Sequence, residues 1–162
     1  MRLALDWGEA RIGVAACDPA GTLAYPVGVV PAGPDAYARI ADLVGEYEPV
    51  ELLVGLPRSL SGGEGPAAQR VRAAVVGLQA DLTARGLGRP VRLVDERLST
   101  VTAAQRLRSG GKRAKQQRSR IDAAAAVVIL EHALASLKSR DQSDPGLGSA
   151  PTAPRDGLPE GD

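Results

Sequence analysis

The chain has no phenylalanine, one tryptophan (Trp7), one cysteine (Cys17) and one histidine (His132) in 162 residues. Without phenylalanine the core must be aliphatic. A lone cysteine excludes an internal disulfide and agrees with a reducing compartment. A single histidine to which helix spacing gives no second ligand excludes a His/Cys zinc site, and His132 reads as a helix-surface residue. No apolar run approaches the roughly 20 residues that a bilayer span needs, and Met1-Arg2-Leu3 enters a strand pattern at once, with no room for a signal peptide. The expectation is a soluble cytoplasmic protein without a membrane partner.

What is present is a globular composition, 44% apolar, of a length that suits one domain and not two. The net charge of +1 hides an asymmetry. Residues 141–162 hold five acids against Arg155 alone, whereas the eight basic residues between Arg97 and Ile121 are accompanied by no acid. Such a concentration points to a polyanionic partner.

Strand-like segments fall at about 2–7, 11–17 and 22–30, separated by turn residues. Links this short favour an antiparallel meander. Ala36, Ile40, Leu43, Val44 and Tyr47 then recur at helical spacing, with Asp35 near the start. Val50 to Leu56 reads as a strand covered on both faces. Ser61-Gly62-Gly63-Glu64 has capping-box spacing ahead of a helix whose inner face is Ala67, Val71, Ala74, Leu78 and Leu82, stopping near Gly86. Val91 to Asp95 is a fifth, buried-type strand. A helix after Ser99-Thr100 ends at Gly110-Gly111, and a basic loop leads to a last helix from about Arg120 to Ser139. The fold class is α/β, a mixed five-stranded sheet (three-strand antiparallel meander, then parallel strands) with helices packed on it. Residues 1–139 form the domain. Gly, Pro, Ser and Asp dominate 140–162, which reads as a disordered acidic tail.

Three carboxylates stand out. Asp6 ends a first strand at the mouth of the turn Trp7-Gly8; the plain alternative is a side chain that bonds its own turn backbone. Glu96 lies where a central strand leaves the sheet, a usual ligand position in open α/β sheets. Alternation sends Asp95 and Glu96 to opposite faces, and spacing does not choose between them. Asp122 is the only charge between Ile121 and Leu130, on a helix apolar on all sides and so expected to be buried. A buried carboxylate needs a partner or a metal, although Ser119-Arg120-Ile121-Asp122 also fits a capping box. Three acids on separate elements are a recurrent means of holding two divalent cations, Mg²⁺ or Mn²⁺, about 3.5–4 Å apart for phosphoryl transfer.

Asp6-Trp7-Gly8 with Arg11-Ile12-Gly13-Val14-Ala15 and Asp18, then Val54-Gly55-Leu56-Pro57 with Ser61-Gly62, then Asp95-Glu96-Arg97-Leu98-Ser99-Thr100, then Asp122-Ala123-Ala124-Ala125 with Ile129-Leu130, form an ordered set. The set resembles the YqgF/RuvX family over about residues 1–138. These are Holliday-junction-resolvase-like nucleases of ribonuclease H fold, assigned to processing of pre-16S ribosomal RNA. The resemblance implies that Asp6, Glu96 and Asp122 are the catalytic, metal-binding acids, with Glu96 preferred over Asp95. It implies a metal-dependent nuclease that acts on the 5′ end of pre-16S rRNA, with branched DNA as the alternative substrate. Two departures concern substrate contacts: Ala10 stands where members commonly have Lys, and Val101-Thr102-Ala103-Ala104-Gln105 lacks the acids often found there.

Arg11, Arg97, Arg106, Arg108, Lys112, Arg113, Lys115, Arg118 and Arg120 are candidates for contacting nucleic-acid phosphates; a solvated basic loop is the alternative. No aromatic residue interleaves them, so base stacking cannot be a main source of affinity there. Trp7 could stack on a base or pack under a neighbouring loop. Arg58, Ser61, Gly62 and Gly63 offer a second phosphate cradle of backbone amides. A homodimer would suit a junction with two cut sites. Two other functions fit parts of the pattern. One is a non-catalytic nucleic-acid or ribosome-associated module. The other is an actin-like ATPase, which would need a duplicated domain that 162 residues do not accommodate.

Overall fold

The computed structural model describes residues 1–59, 61–96 and 114–142, with side chains from 123 to 141 in the last segment. Its elements are β1 (Leu3–Trp7), β2 (Arg11–Cys17), β3 (Ala24–Pro31), α1 (Ala36–Tyr47), β4 (Leu52–Leu56), α2 (Pro66–Ala84), β5 (Val91–Asp95) and α3 (Ala114–Gln142). The sheet order is β3-β2-β1-β4-β5. β1–β2 and β2–β3 are antiparallel, β1–β4 and β4–β5 parallel, so the mixed five-stranded sheet is as expected.

Alternation along the strands sorts side chains onto two covered faces. Leu3, Leu5, Ile12, Val14, Leu52 and Val54 pack under α1 and α2 with Ile40, Val44, Val71, Leu78 and Leu82. Ala4, Ala15, Cys17 and Leu53 face α3, against Ala126, Ile129, Leu130 and Ala133. The alanines on both sides of that second layer let the α3 backbone lie close to the sheet. Fully burying one such leucine is worth roughly 1.5–3 kcal/mol, and Leu3, Leu5, Leu52, Leu53, Leu78, Leu82 and Leu130 are all fully buried.

Tight turns hold the strand ends. Gly8 donates its N–H to the Arg11 carbonyl at 3.0 Å, and a Cβ on Gly8 would lie 2.6 Å from that oxygen. Only glycine fits this hairpin. At the other end of β2, the Asp18 carboxylate accepts hydrogen bonds from the Thr22 and Leu23 amides and the Thr22 hydroxyl. At the edge of the sheet, β3 carries Pro26 and Pro31. Its pairing with β2 shifts between Val14 and Ala15, which face Gly28 and Pro26, so that Val27 is an extra, bulged residue.

Several expectations are corrected. The Ser61–Glu64 capping box does not form: α2 begins at Pro66 with Gly65 as its uncapped N-cap, Ser61 pairs with the Ser59 hydroxyl, and Glu64 pairs instead with Arg72. Proline at the first helical position sets the start two residues beyond the motif. The inner face of α2 is Ala68, Val71, Val75, Leu78 and Leu82, so Ala67 and Ala74 are rotated off it. α3 begins at Ala114, before the expected Arg120, and runs to Gln142, past the expected Ser139. Ser119 is therefore inside the helix, and the Ser119–Asp122 capping box is excluded. Lys, Gln and Arg are good helix formers, which is why the helix extends into the basic segment. α3 is buried on one side only: Ala124, Val127, Val128 and His132 are half-exposed. The helix expected after Ser99-Thr100 and residues 143–162 of the expected tail lie outside the described residues.

Candidate active site

The C-terminal ends of the parallel strands β1, β4 and β5 lie side by side, and Asp6 and Glu96 are at that end. Ala4 faces α3, so Asp6, two residues on, faces α3 as well. It sits one residue beyond the Leu5–Val54 pair, next to Gly55 of β4. Gly55 in turn pairs with Val94 of β5, whose side chain packs on the α3 face. Glu96, two residues after Val94 and just past the end of the strand, returns to the same face.

The Glu96 carboxylate then folds back over β4. A Cβ built on Gly55 would clash with Glu96 Oε1, lie 3.0 Å from its carboxyl carbon and lie 2.6 Å from Ile129 Cδ1. The carboxylate thus occupies the place that any side chain at residue 55 would fill. β1 and β4 are neighbours at the usual strand spacing of about 4.8 Å, so Asp6 lies one strand from the Glu96 carboxylate, on the same face of the sheet. Arg11, on the same face because Ile12 faces the other, brings a positive charge to the hairpin beside Asp6. Hard oxygens over a strand stripped of its side chain are a donor set that fits Mg²⁺ or Mn²⁺.

Asp95 takes the opposite face, as alternation requires. Its partner is Arg58, with Nε 3.6 Å from Oδ2. Arg58 also reaches the Gly62 carbonyl at 3.4 Å. The loop after β4 is knitted internally: Ser59 donates its amide to Gly63, and Gly62 donates its amide to Ser59. Of the cradle residues expected from the sequence, Gly62 thus has its amide used within the loop. On the other side of the site, Glu9 at the hairpin tip meets Arg70 of α2 at 2.5 Å.

Trp7 faces α1, with its ring centroid 6.1 Å from that of Tyr37 and the planes tilted by 52°. It packs against the first core layer, on the side away from Asp6, so packing and not base stacking is its observed role. Asp122 is on α3, one turn before Ala126 and two turns before Ile129; its side chain is outside those described, as are the side chains of Lys115, Arg118 and Arg120. Arg97, Arg106, Arg108, Lys112 and Arg113 lie outside the described residues altogether. Among the described residues no three His, Cys, Asp or Glu side chains form a group that could hold a metal; of the three candidate acids, Asp6 and Glu96 have described side chains. Gly55 was not among the residues that the sequence singled out for the site, yet the Glu96 carboxylate lies where its Cβ would be. A glycine interrupting an apolar strand often marks close approach of a ligand or another chain segment, and that signal is present in Val54-Gly55-Leu56.

A family model described as RuvX: Holliday junction resolvase matches residues 1–136. The chain is 58% identical over 138 residues to a Streptomyces coelicolor protein named "Putative pre-16S rRNA nuclease", covering 83% of this chain and 80% of the relative. A Streptomyces avermitilis protein of the same name is 54% identical over 149 residues, 91% of this chain and 92% of that one. One from Cutibacterium acnes is 50% identical over 150 residues, at 93% and 91% coverage. Among solved structures, Thermus thermophilus RuvC matches with a TM-score of 0.50 at 19% identity, over 85% of this chain and 96% of that one. The same protein in complex with a Holliday junction substrate matches with the same score. At that identity the likeness establishes the fold, a ribonuclease H-like sheet.

Proposed function

The chain belongs to the RuvX family of Holliday junction resolvases, and from that premise we propose a divalent-metal-dependent nuclease whose substrate is the 5′ end of pre-16S ribosomal RNA. The observation that carries the reading is the Glu96 carboxylate laid over Gly55, one strand from Asp6 on the same face. The RNA substrate is favoured by relatives of 50–58% identity that bear the pre-16S name.

Asp6, Glu96 and Asp122 would hold Mg²⁺ or Mn²⁺, as one ion or two. The cation supplies positive charge where negative charge builds on the phosphate oxygens during hydrolysis. The chain's own contribution is placement. Asp6 is fixed by the rigid strand before the Gly8 hairpin, and Glu96 by its seat on β4. Arg11 neutralises a backbone phosphate at the hairpin. The basic residues from Arg97 to Arg120 orient the polyanion along the site. Among the described residues no helix is long and apolar enough to cross a membrane, and the proposed setting is the cytoplasm, where ribosomes are assembled.

Cleavage of branched DNA is the second reading, favoured by the description of the family itself. One preparation with Mn²⁺ should be offered precursor 16S RNA, matched single strands and a four-way junction, beside an Asp6→Asn control. Metal-dependent cleavage of the precursor that the control lacks supports the RNA reading, and preferential cleavage of the junction replaces it with the second. If no substrate is cut at any metal concentration, the protein is a binding module.

A further inference from the structure

We propose that Gly55 is a positioning residue: its missing side chain forms the seat that holds the Glu96 carboxylate toward Asp6, and it also sets how closely α3 docks on the sheet. The inference rests on the reading of Glu96 as a metal ligand.

The geometry is specific to this position. Several other glycines have open space where a Cβ would go. At Gly55 a methyl group would collide with two neighbours at once, the Glu96 carboxylate and Ile129 Cδ1 at 2.6 Å. The two collisions differ in kind. Glu96 is the far end of a flexible side chain at the margin of the sheet and can swing away. Ile129 is 5% exposed, in the layer formed by Leu53, Ala126 and Leu130, and can give only by changing rotamer or lifting the helix. Asp122 lies on that helix two turns earlier. One added methyl would thus disturb the acid of β5 directly and the element bearing the acid of α3 through Ile129.

No backbone requirement explains the glycine. Gly55 is a central strand residue, paired with Val94, and is not among the positive-φ glycines. Glycine weakens a strand relative to a residue with a side chain, so its presence between the fully buried Val54 and the nearly buried Leu56 runs against the local structure. Room for the carboxylate is what the position provides.

The test uses Gly55→Ala, Ile129→Val and the double variant, with Glu96→Gln as reference. Ile129→Val removes the Cδ1 that meets the new methyl, so the double variant relieves the collision with α3 and leaves that with Glu96; Ile129→Val alone gives the packing cost. Mn²⁺ affinity is read by calorimetry, folding by thermal midpoint, and cleavage across a Mn²⁺ titration. The expected result is a double variant that melts closer to wild type than Gly55→Ala, binds Mn²⁺ at least tenfold more weakly than wild type, and regains cleavage as Mn²⁺ is raised. Wild-type Mn²⁺ affinity in the double variant, with Glu96→Gln impaired, would overturn the seat and leave the metal reading intact. Wild-type Mn²⁺ affinity in Glu96→Gln would overturn the metal reading itself and the seat with it. Should Gly55→Ala alone fail to fold, the double variant carries the measurement.

Discussion

Asp95 and Glu96 are consecutive, yet Asp95 is tied to Arg58 at 3.6 Å while the Glu96 carboxylate lies over Gly55 on the other side of the sheet. The pair therefore separates a loop anchor from the proposed metal ligand within one peptide bond. Glu96→Gln should lower metal-dependent cleavage by at least about a hundredfold, since even outer-sphere changes around a metal cost 10–100-fold. Asp95→Asn should leave the metal titration where it is. Its ion pair is about one-third exposed on both sides and worth less than about 1 kcal/mol, so a small drop in thermal midpoint is the expected trace. Equal losses in the two variants would contradict the assignment of faces.

Asp6→Asn should reduce cleavage by at least about a hundredfold while leaving nucleic-acid affinity largely unchanged. Electrophoretic shift and cleavage assays on one preparation would check it. Asparagine keeps the size and the strand while it removes the charge and exchanges one acceptor oxygen for a donor amide. A variant that cuts at the wild-type rate would sink the proposed mechanism.

The sheet was legible in the sequence because its signals are local: turn residues at Gly8 and Asp18 delimit β2, and short apolar runs mark β1, β4 and β5. The two capping boxes misled for a shared reason. Ser61–Glu64 and Ser119–Asp122 satisfy a spacing rule, but whether a helix starts there depends on flanking residues, Pro66 in one case and the helix-forming Ala114–Ser119 in the other. The choice between Asp95 and Glu96 needed the end of β5, which periodicity does not locate to one residue. Gly55, Glu96 and Ile129 meet only in three dimensions, from β4, the end of β5 and α3, and no spacing rule joins them.

Gly77→Ala should shift the emission of Trp7, the only tryptophan. A Cβ at Gly77 would lie 2.9–3.0 Å from the Tyr37 ring carbons, and Tyr37 is the ring that meets Trp7. Overpacking of this kind costs about 1–3 kcal/mol, so a lower thermal midpoint should accompany the spectral change. An unchanged spectrum would mean that Tyr37 yields without disturbing its partner.

Affinity for nucleic acid should fall linearly on a log–log plot against salt, with a slope of about 0.7–0.9 for every phosphate neutralised. Replacing Lys115, Arg118 and Arg120 with alanine should flatten the slope by about one unit for each of the three that binds a phosphate. A slope unaffected by the triple substitution would remove the start of α3 from the proposed interface.

Asp18 supplies a pH dependence. Hydrogen bonds from the Leu23 amide, then from the Thr22 hydroxyl and amide, hold its pKa at about 2, below the ordinary 3.8. A carboxyl with a depressed folded-state pKa contributes stability that is present above the unfolded value and is lost as pH falls through the folded one. The thermal midpoints of wild type and Asp18→Ala should therefore differ most above about pH 4 and converge toward about pH 2. A gap that stays constant over this range would assign the effect of Asp18 to packing instead of charge.

The prolines and the bulge of β3 bear on assembly. Pro26 and Pro31 have no amide proton to offer a strand arriving from outside, and the extra residue at Val27 breaks the regular spacing that such a strand would have to match. Lateral growth of the sheet is disfavoured at this border, which counts against two copies joining β3 to β3 into a continuous ten-stranded sheet. This obstacle lies in β3 and does not bear on the helices, the loops or the β5 side.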